Sequence, residues 1–135
     1  MEHIVRGVLD FRENVYPERK DLFGALADGQ SPEVLFFTCS DSRIDPNLLT
    51  GSSPGDLFIC RNAGNIIPPH SNETGGMTAS IEYAVAVLKV RHIIVCGHTD
   101  CGAIKGALDV GALKGLPHVK EWLGHCRSAM EIVRE

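Results

Sequence analysis

The chain has 135 residues, 44% of them hydrophobic and 22% charged, which is enough for one globular domain over residues 1–135 and too little for a second. A formal charge of −4 and a pI near 5.8 supply no basic footprint for nucleic acid and no polybasic patch for an anionic membrane. No apolar run approaches membrane-spanning length, and the charged opening Met1-Glu2-His3-Ile4-Val5-Arg6 is unlike a signal peptide. Five cysteines, Cys39, Cys60, Cys96, Cys101 and Cys126, are an odd count. They argue against a disulfide framework and for a reduced, cytoplasmic protein whose thiols bind metal.

Ile4, Val5, Val8, Leu9 and Phe11 or Val15 recur at helical spacing and predict an amphipathic helix over the first fifteen residues, ended or interrupted by Pro17. Asp21 to Ala27 gives a second short helix with Asp28-Gly29 as its stop. A helix ahead of the first strand has no place inside a minimal βαβ unit, so it is expected to pack on a partner subunit. Val34 to Cys39, an apolar run after Pro32, reads as a strand buried on both faces. It opens at its carboxyl end into Ser40-Asp41-Ser42-Arg43, and in open parallel α/β sheets ligands bind at that end.

Ile44 to Leu49 is a short helix with Asp45 near its start and Pro46 at the first helical position. Ser53-Pro54-Gly55-Asp56 is a turn, Leu57 to Arg61 a second buried strand, Asn62-Ala63-Gly64-Asn65 a tight polar loop, and Pro68 to Asn72 an irregular connection. Thr78 to Leu88 predicts a largely buried crossover helix feeding a third buried strand from Arg91 to Gly97. From Cys101 a helix runs through Ala103, Ile104 and Ala107 to Leu108, weakened by breaks at Gly106 and Gly111. Pro117 opens a last helix with Val119, Trp122, Leu123, Cys126, Met130 and Val133 on one face, a pattern still running at Glu135. Three strands are few for a doubly wound sheet, so a further strand is expected to be absent or borrowed. There is no internal repeat.

If the first and third strands are parallel neighbours, Cys39 and the turn His98-Thr99-Asp100-Cys101-Gly102 share one sheet edge. Two thiolates and an imidazole suit a tetrahedral zinc with one position left for water or substrate. That set is short of the four cysteines usual for iron–sulfur clusters. The amides at the start of the following helix favour thiolate over thiol. The plainer alternative is that Cys39 and Cys101 are buried thiols and His98 a turn residue. Asp41 and Arg43 stand beside Cys39, as a weak surface ion pair or as a pair in which Arg43 keeps Asp41 off the metal and aims its oxygen at water. The second arrangement suits hydration of a small electrophile. Cys60, Cys96 and Cys126 read as packing residues, and His3, His92, His118 and His125 as exposed or ordinarily packed. His70 could shuttle protons, and Gly64 and Gly102 suit close backbone approach to a ligand.

Four ordered motifs, Cys39-Ser40-Asp41-Ser42-Arg43, Gly55-Asp56-Leu57-Phe58 with Arg61-Asn62-Ala63-Gly64-Asn65, Ser80-Ile81-Glu82-Tyr83-Ala84-Val85, and Cys96-Gly97-His98-Thr99-Asp100-Cys101-Gly102-Ala103, together resemble the β-class carbonic anhydrases, particularly the bacterial and cyanobacterial branch. The resemblance runs over essentially the whole chain. It implies an α/β fold, a central mainly parallel sheet flanked by helices, with the N-terminal helix on the other subunit of a homodimer or larger homo-oligomer. It implies one Zn2+ per subunit on Cys39, His98 and Cys101, with Asp41 paired to Arg43 in the active form and serving as a fourth ligand only in a closed state. Family members with that switch often carry tryptophan where this chain has Phe36, which points to the open form here.

The resemblance further implies a CO2 pocket lined by residues matching Gln30, Phe58, Ala63 and Tyr83, with the Gly102 amide near the substrate and Gln30 reaching across a dimer interface. The implied activity is the zinc-dependent, reversible hydration of CO2 to bicarbonate and a proton, in the cytoplasm or a carboxysome. Family members commonly continue past Glu135 with a helix and further strands, so the resemblance implies a C-terminally short domain. Two other readings compete with the enzyme. One is a non-catalytic zinc-bearing scaffold or regulator; the other is a thiol redox protein using Cys39 and Cys101, which the lack of a Cys-x-x-Cys pair disfavours.

Overall fold

Strand β1, Val34–Cys39, is buried from Leu35 to Cys39 because it lies in the middle of a three-stranded sheet ordered β2-β1-β3. Both neighbours, β2 (Leu57–Asn62) and β3 (His92–Cys96), run parallel to it, with Cys39 opposite Asn62 and Thr38 opposite Cys96. All three strands therefore end at one edge. Successive side chains of a strand alternate between faces. Leu35 and Phe37 accordingly share one face with Cys60 and Ala84, and Phe58, Met77, Ile81 and Val90 pack around them. The hydroxyl of Thr38 donates to the Cys96 carbonyl at 3.0 Å, fastening β1 to β3 just before both strands open into loops.

The computed structural model describes residues 1–71 and 74–134 and comprises two units, Met1–Ser31 and Pro32–Glu135. The expectations that reach Asn72 and Glu135 lie outside the described residues. In the first unit α1 (Glu2–Asp10) passes through a wider π turn, Phe11–Val15, into α2 (Tyr16–Glu18), and α3 (Lys20–Ala27) follows. The expected effect of Pro17 appears as this widened turn just ahead of it, since proline has no N–H to donate and its ring crowds the preceding turn. The helical backbone breaks two residues later, at Arg19, where φ is −111°. Phe11, Tyr16 and Phe23 form an aromatic cluster, with Phe23 edge-on to Phe11 at 5.6 Å and stacked on Tyr16 at 5.3 Å. The α1 stripe of Ile4, Val5, Val8 and Leu9 is exposed.

In the second unit α4 (Pro46–Thr50) starts as predicted: the Asp45 carboxylate accepts from the Leu48 amide at 3.0 Å and Pro46 takes the first helical position. Helix α5 (Gly76–Glu82) continues as a π turn, Tyr83–Val87, and joins β2 to β3. Three expectations of burial are corrected here. Of β2, expected as a buried strand, only Cys60 is buried and Ile59 is exposed. Of the π turn only Ala84 is buried, while Tyr83, Val85 and Val87 are exposed. On β3, Ile93, Ile94 and Val95 are exposed as well, because β3 is an edge strand with a partner on one side only.

Helix α6 (Gly102–Leu108), a 3-10 turn (Val110–Leu113), α7 (Pro117–Leu123), a second 3-10 turn (Gly124–Cys126) and α8 (Arg127–Arg134) complete the unit. Their core is Ile66, Ala107, Leu113 and Leu123, with Val119, Trp122, Cys126 and Met130 against it. Gly106 is not a break: it lies inside α6, and a Cβ there would come within 2.9 Å of Leu113 Cδ2. Helix-breaking propensity is overridden by the need for a small residue under Leu113. Val133, expected on the packed face, is exposed. Cys60 is buried, whereas Cys96, expected in the core, is only half-buried at the end of the edge strand.

Candidate metal centre

Where β1 and β3 end, the chain brings Cys39 Sγ, a His98 ring nitrogen and Cys101 Sγ within 4.8 Å of one another. Cys39 is the last residue of β1; His98 stands two residues past β3; Cys101 caps α6 with extended backbone, φ −69° and ψ 116°. The turn between the last two is tight, and Asp100 holds it in the left-handed region with φ +58°, a conformation Asp tolerates better than most residues.

Three observations test whether this group suits a metal. The two sulfurs are 3.9 Å apart. That is far from the ~2.05 Å of a disulfide and close to the ~3.8 Å that two ~2.3 Å zinc–sulfur bonds subtend at a tetrahedral centre. His98 Nδ1–H donates to the Thr99 carbonyl at 2.8 Å, which leaves the lone pair on Nε2. Nε2 is itself buried with no hydrogen-bond partner, although its nearest charged neighbour, Asp41 Oδ2, is 3.8 Å away. A buried ring nitrogen left unpaired between two sulfurs costs free energy in a protein that offers it nothing else, and a soft cation satisfies all three atoms together.

The surroundings favour thiolate at Cys39. Burial pushes the thiol up, but the Gly64 amide, which donates to the sulfur at 3.4 Å, outweighs it together with the neighbouring His98 ring, Asp41 backbone and Cys101 thiol, and the thiol is lowered to about 7. Gly64 must be glycine for this: its φ is +86° and an added Cβ would sit 3.3 Å from Ala103 Cβ. At Gly102, by contrast, an added Cβ would meet no protein atom, so packing supplies no reason for glycine there.

Asp41 and Arg43 form the expected fork. Arg43 Nε donates to Oδ1 at 2.9 Å and Nη2 to Oδ2 at 2.8 Å, and the Arg43 amide adds a third bond to Oδ1 at 3.0 Å. These bonds hold the Asp41 carboxyl well below the usual carboxylate range, so it is an anion with both oxygens engaged by Arg43. Its side chain is 17% exposed and that of His98 7%.

Two contributors carried no signal in residue type. Arg61, at the end of β2, donates to the carbonyls of Cys39 (3.0 Å), Asp41 (2.8 Å) and Ile44 (2.9 Å), so one guanidinium shapes the loop that presents Cys39 and Asp41. Trp122 of α7 donates its indole N–H to the Ala63 carbonyl at 2.8 Å, fastening the loop whose next amide reaches Cys39.

The five residues considered for a substrate pocket separate into groups. Ala63 and Gly102 flank the cysteine sulfurs through their neighbours Gly64 and Cys101. Phe58 and Tyr83 contact each other, ring centroids 5.9 Å apart. Phe58 pairs with Leu35, four residues before Cys39, and so lies about 13 Å from it along the strand. Gln30 is an exposed residue of the first unit. His70 is exposed too and lines a separate 470 Å³ pocket with Ile67, Ile81, Glu82 and Val85.

Known proteins share this architecture. The carbonic anhydrase family pattern matches residues 34–135. A carbonic anhydrase of Synechococcus elongatus is 51% identical over 134 residues, covering 98% of this chain and 49% of its own length. The solved structure of the beta-carbonic anhydrase CcaA has a TM-score of 0.94 at 48% identity, covering 98% of this chain and 65% of that one. One of two tetrameric beta-carbonic anhydrases from Sordaria macrospora matches at TM-score 0.82 and 38% identity over 94% of this chain and 62% of its own. The chain spans about half the length of the curated relatives it matches. With family pattern, identity and fold in agreement, the chain belongs to the β-carbonic anhydrase family.

Proposed function

We propose that this protein catalyses the reversible hydration of CO2 to bicarbonate and a proton, using one zinc ion per chain held by Cys39, His98 and Cys101. The observation that carries the reading is the convergence of those three donors within 4.8 Å, with His98 Nε2 buried and unpartnered. Bound there, zinc supplies the Lewis acidity that makes water nucleophilic at neutral pH. Two thiolates cancel the charge of the ion, so the residues around it must orient water more than at an all-histidine site. Asp41 is placed for that: Arg43 keeps its carboxylate anionic and engaged, an arrangement that corresponds to an open site. The Gly64 amide stabilises the Cys39 thiolate, and Arg61 fixes the loop on which Cys39 and Asp41 sit.

The same reading assigns the apolar CO2 pocket to Ala63 and Gly102 of one chain, with Gln30, Phe58 and Tyr83 serving the site of a second copy. The ~13 Å between Phe58 and Cys39 along the strand supports that division. Homo-oligomer formation is supported by the exposed apolar stripe of α1, by exposed Val85 and Val87, and by the tetrameric Sordaria relatives. The cysteines are all free, and among the described residues no helix is long and apolar enough to cross a membrane. A reduced compartment, cytoplasmic or carboxysomal, fits those thiols.

Stopped-flow CO2 hydration on the zinc-loaded chain tests the proposal. Activity that is lost in Asp41→Ala while zinc is retained supports it. Full zinc occupancy with no hydration above buffer would instead make the protein a non-catalytic zinc-bearing scaffold.

A further inference from the structure

We propose that Asp100 is a positioning residue for the Asp41–Arg43 pair: its carboxylate and backbone carbonyl hold the Arg43 guanidinium in the orientation that clasps Asp41 and keeps that carboxylate off the cation site. Arginine is a long side chain with many rotamers, and this one is 56% exposed, so pairing with Asp41 alone would leave it free to swing with its partner. The geometry removes that freedom from the other edge. With Nε and Nη2 on Asp41, the outer edge of the guanidinium is taken by Asp100, Nη1 donating to Oδ2 at 3.3 Å and Nη2 to the backbone carbonyl at 3.1 Å. The planar fork is thereby held on two sides by two different loops.

Asp100 is itself fixed twice. Its backbone occupies the left-handed conformation at φ +58° between His98 and Cys101, and its second carboxylate oxygen, Oδ1, pairs with Lys105, a turn further along in α6. Asp41, Arg43, Asp100 and Lys105 thus alternate in sign along one chain of contacts. The consequence is a change of reference frame. Arg43 is held relative to the turn that carries the two later metal-binding side chains, and so is the Asp41 carboxylate that Arg43 grips. Asp41 Oδ2 already lies 3.8 Å from His98 Nε2, so a loosened Arg43 would leave the carboxylate within reach of the ion's position. Only that last step rests on the zinc reading above.

The test separates the two. In 15N NMR spectra of the 135-residue chain, the exchange of the Arg43 Nε–H with water reports how firmly the guanidinium is held, whether or not zinc is present. Asp100→Gly keeps the left-handed backbone without strain and keeps the carbonyl, but removes the carboxylate. It is expected to speed exchange about 1.5- to fivefold, the factor to which the free energy of a single exposed ion pair converts. Asp100→Asn, which retains a neutral acceptor, should fall between Asp100→Gly and wild type, and it carries the test if the glycine variant does not fold. Asp41→Ala, which removes the acceptor of the same N–H, serves as the control. Exchange unchanged in both Asp100 variants while Asp41→Ala accelerates it would overturn the proposal. Zinc content is measured separately: a wild-type chain that takes up no zinc would sink the hydration reading and leave the exchange result standing.

Discussion

Replacing Gly64 by alanine probes the link between backbone geometry and the metal centre. At φ +86° an L-residue carries the left-handed penalty, about 1–2 kcal/mol. The new Cβ also lands 3.3 Å from Ala103 Cβ, 3.4 Å from Ile66 Cδ1 and 3.5 Å from Ile104 Cδ1. The first contact is to a short side chain fixed to α6, which cannot rotate away, and relieving it adds up to roughly another 1 kcal/mol. The expected loss is therefore about 1–3 kcal/mol, or a fall of roughly 0.5–2 M in the urea midpoint with the slope unchanged. Gly24→Ala is the matched control, since Gly24 is a helical residue of α3 with nothing within 4 Å of its added Cβ. There the same methyl group should stabilise by about 0.4–1 kcal/mol through helix propensity and a less flexible unfolded chain. Urea unfolding followed by circular dichroism reads both. If Gly64→Ala were neutral, or matched Gly24→Ala in sign, the claim that this loop is forced by its contacts and by the amide on Cys39 would be wrong.

Other outcomes follow from the same geometry. Asp41→Asn should retain zinc by elemental analysis and lower kcat for CO2 hydration by about 10²-fold or more, because a positioned proton acceptor is worth that much; unchanged kcat would remove Asp41 from the reaction. Arg61→Ala deletes donors to three carbonyls and should cost about 2–4 kcal/mol in urea unfolding, while weakening zinc binding about tenfold through the displaced Cys39. Val85→Glu places a charge on an apolar position that is 48% exposed. If that face meets a second copy, light scattering should show a lower mass with the far-ultraviolet spectrum retained, and an unchanged mass would exclude Val85 from the interface.

The readable parts of this protein are those whose causes are local. β1 was predictable from Val34 to Cys39 because a central strand is apolar along its whole length. The cap at Asp45-Pro46 and the ligand turn from His98 to Cys101 were readable because each lies within four residues of sequence. β3 misled for a matching reason: Ile93, Ile94 and Val95 are as apolar as a central strand, and an edge strand differs from it only in having a missing neighbour, which sequence does not contain. The apolar α5 segment misled in the same way. Gly106 looked like a helix break because its true cause, Leu113, comes from another element. Arg61 was silent because its acceptors are backbone carbonyls 17 to 22 residues away, and a carbonyl has no residue type.

The central claim is that Cys39, His98 and Cys101 hold one zinc ion. Zinc K-edge X-ray absorption on the metal-loaded chain tests it most directly, with the stoichiometry taken from the same sample. The account predicts one zinc per chain with two sulfur scatterers at about 2.3 Å and nitrogen or oxygen neighbours at about 2.0–2.1 Å. A first coordination shell without sulfur, or a chain that stays zinc-free at saturating metal, would contradict it.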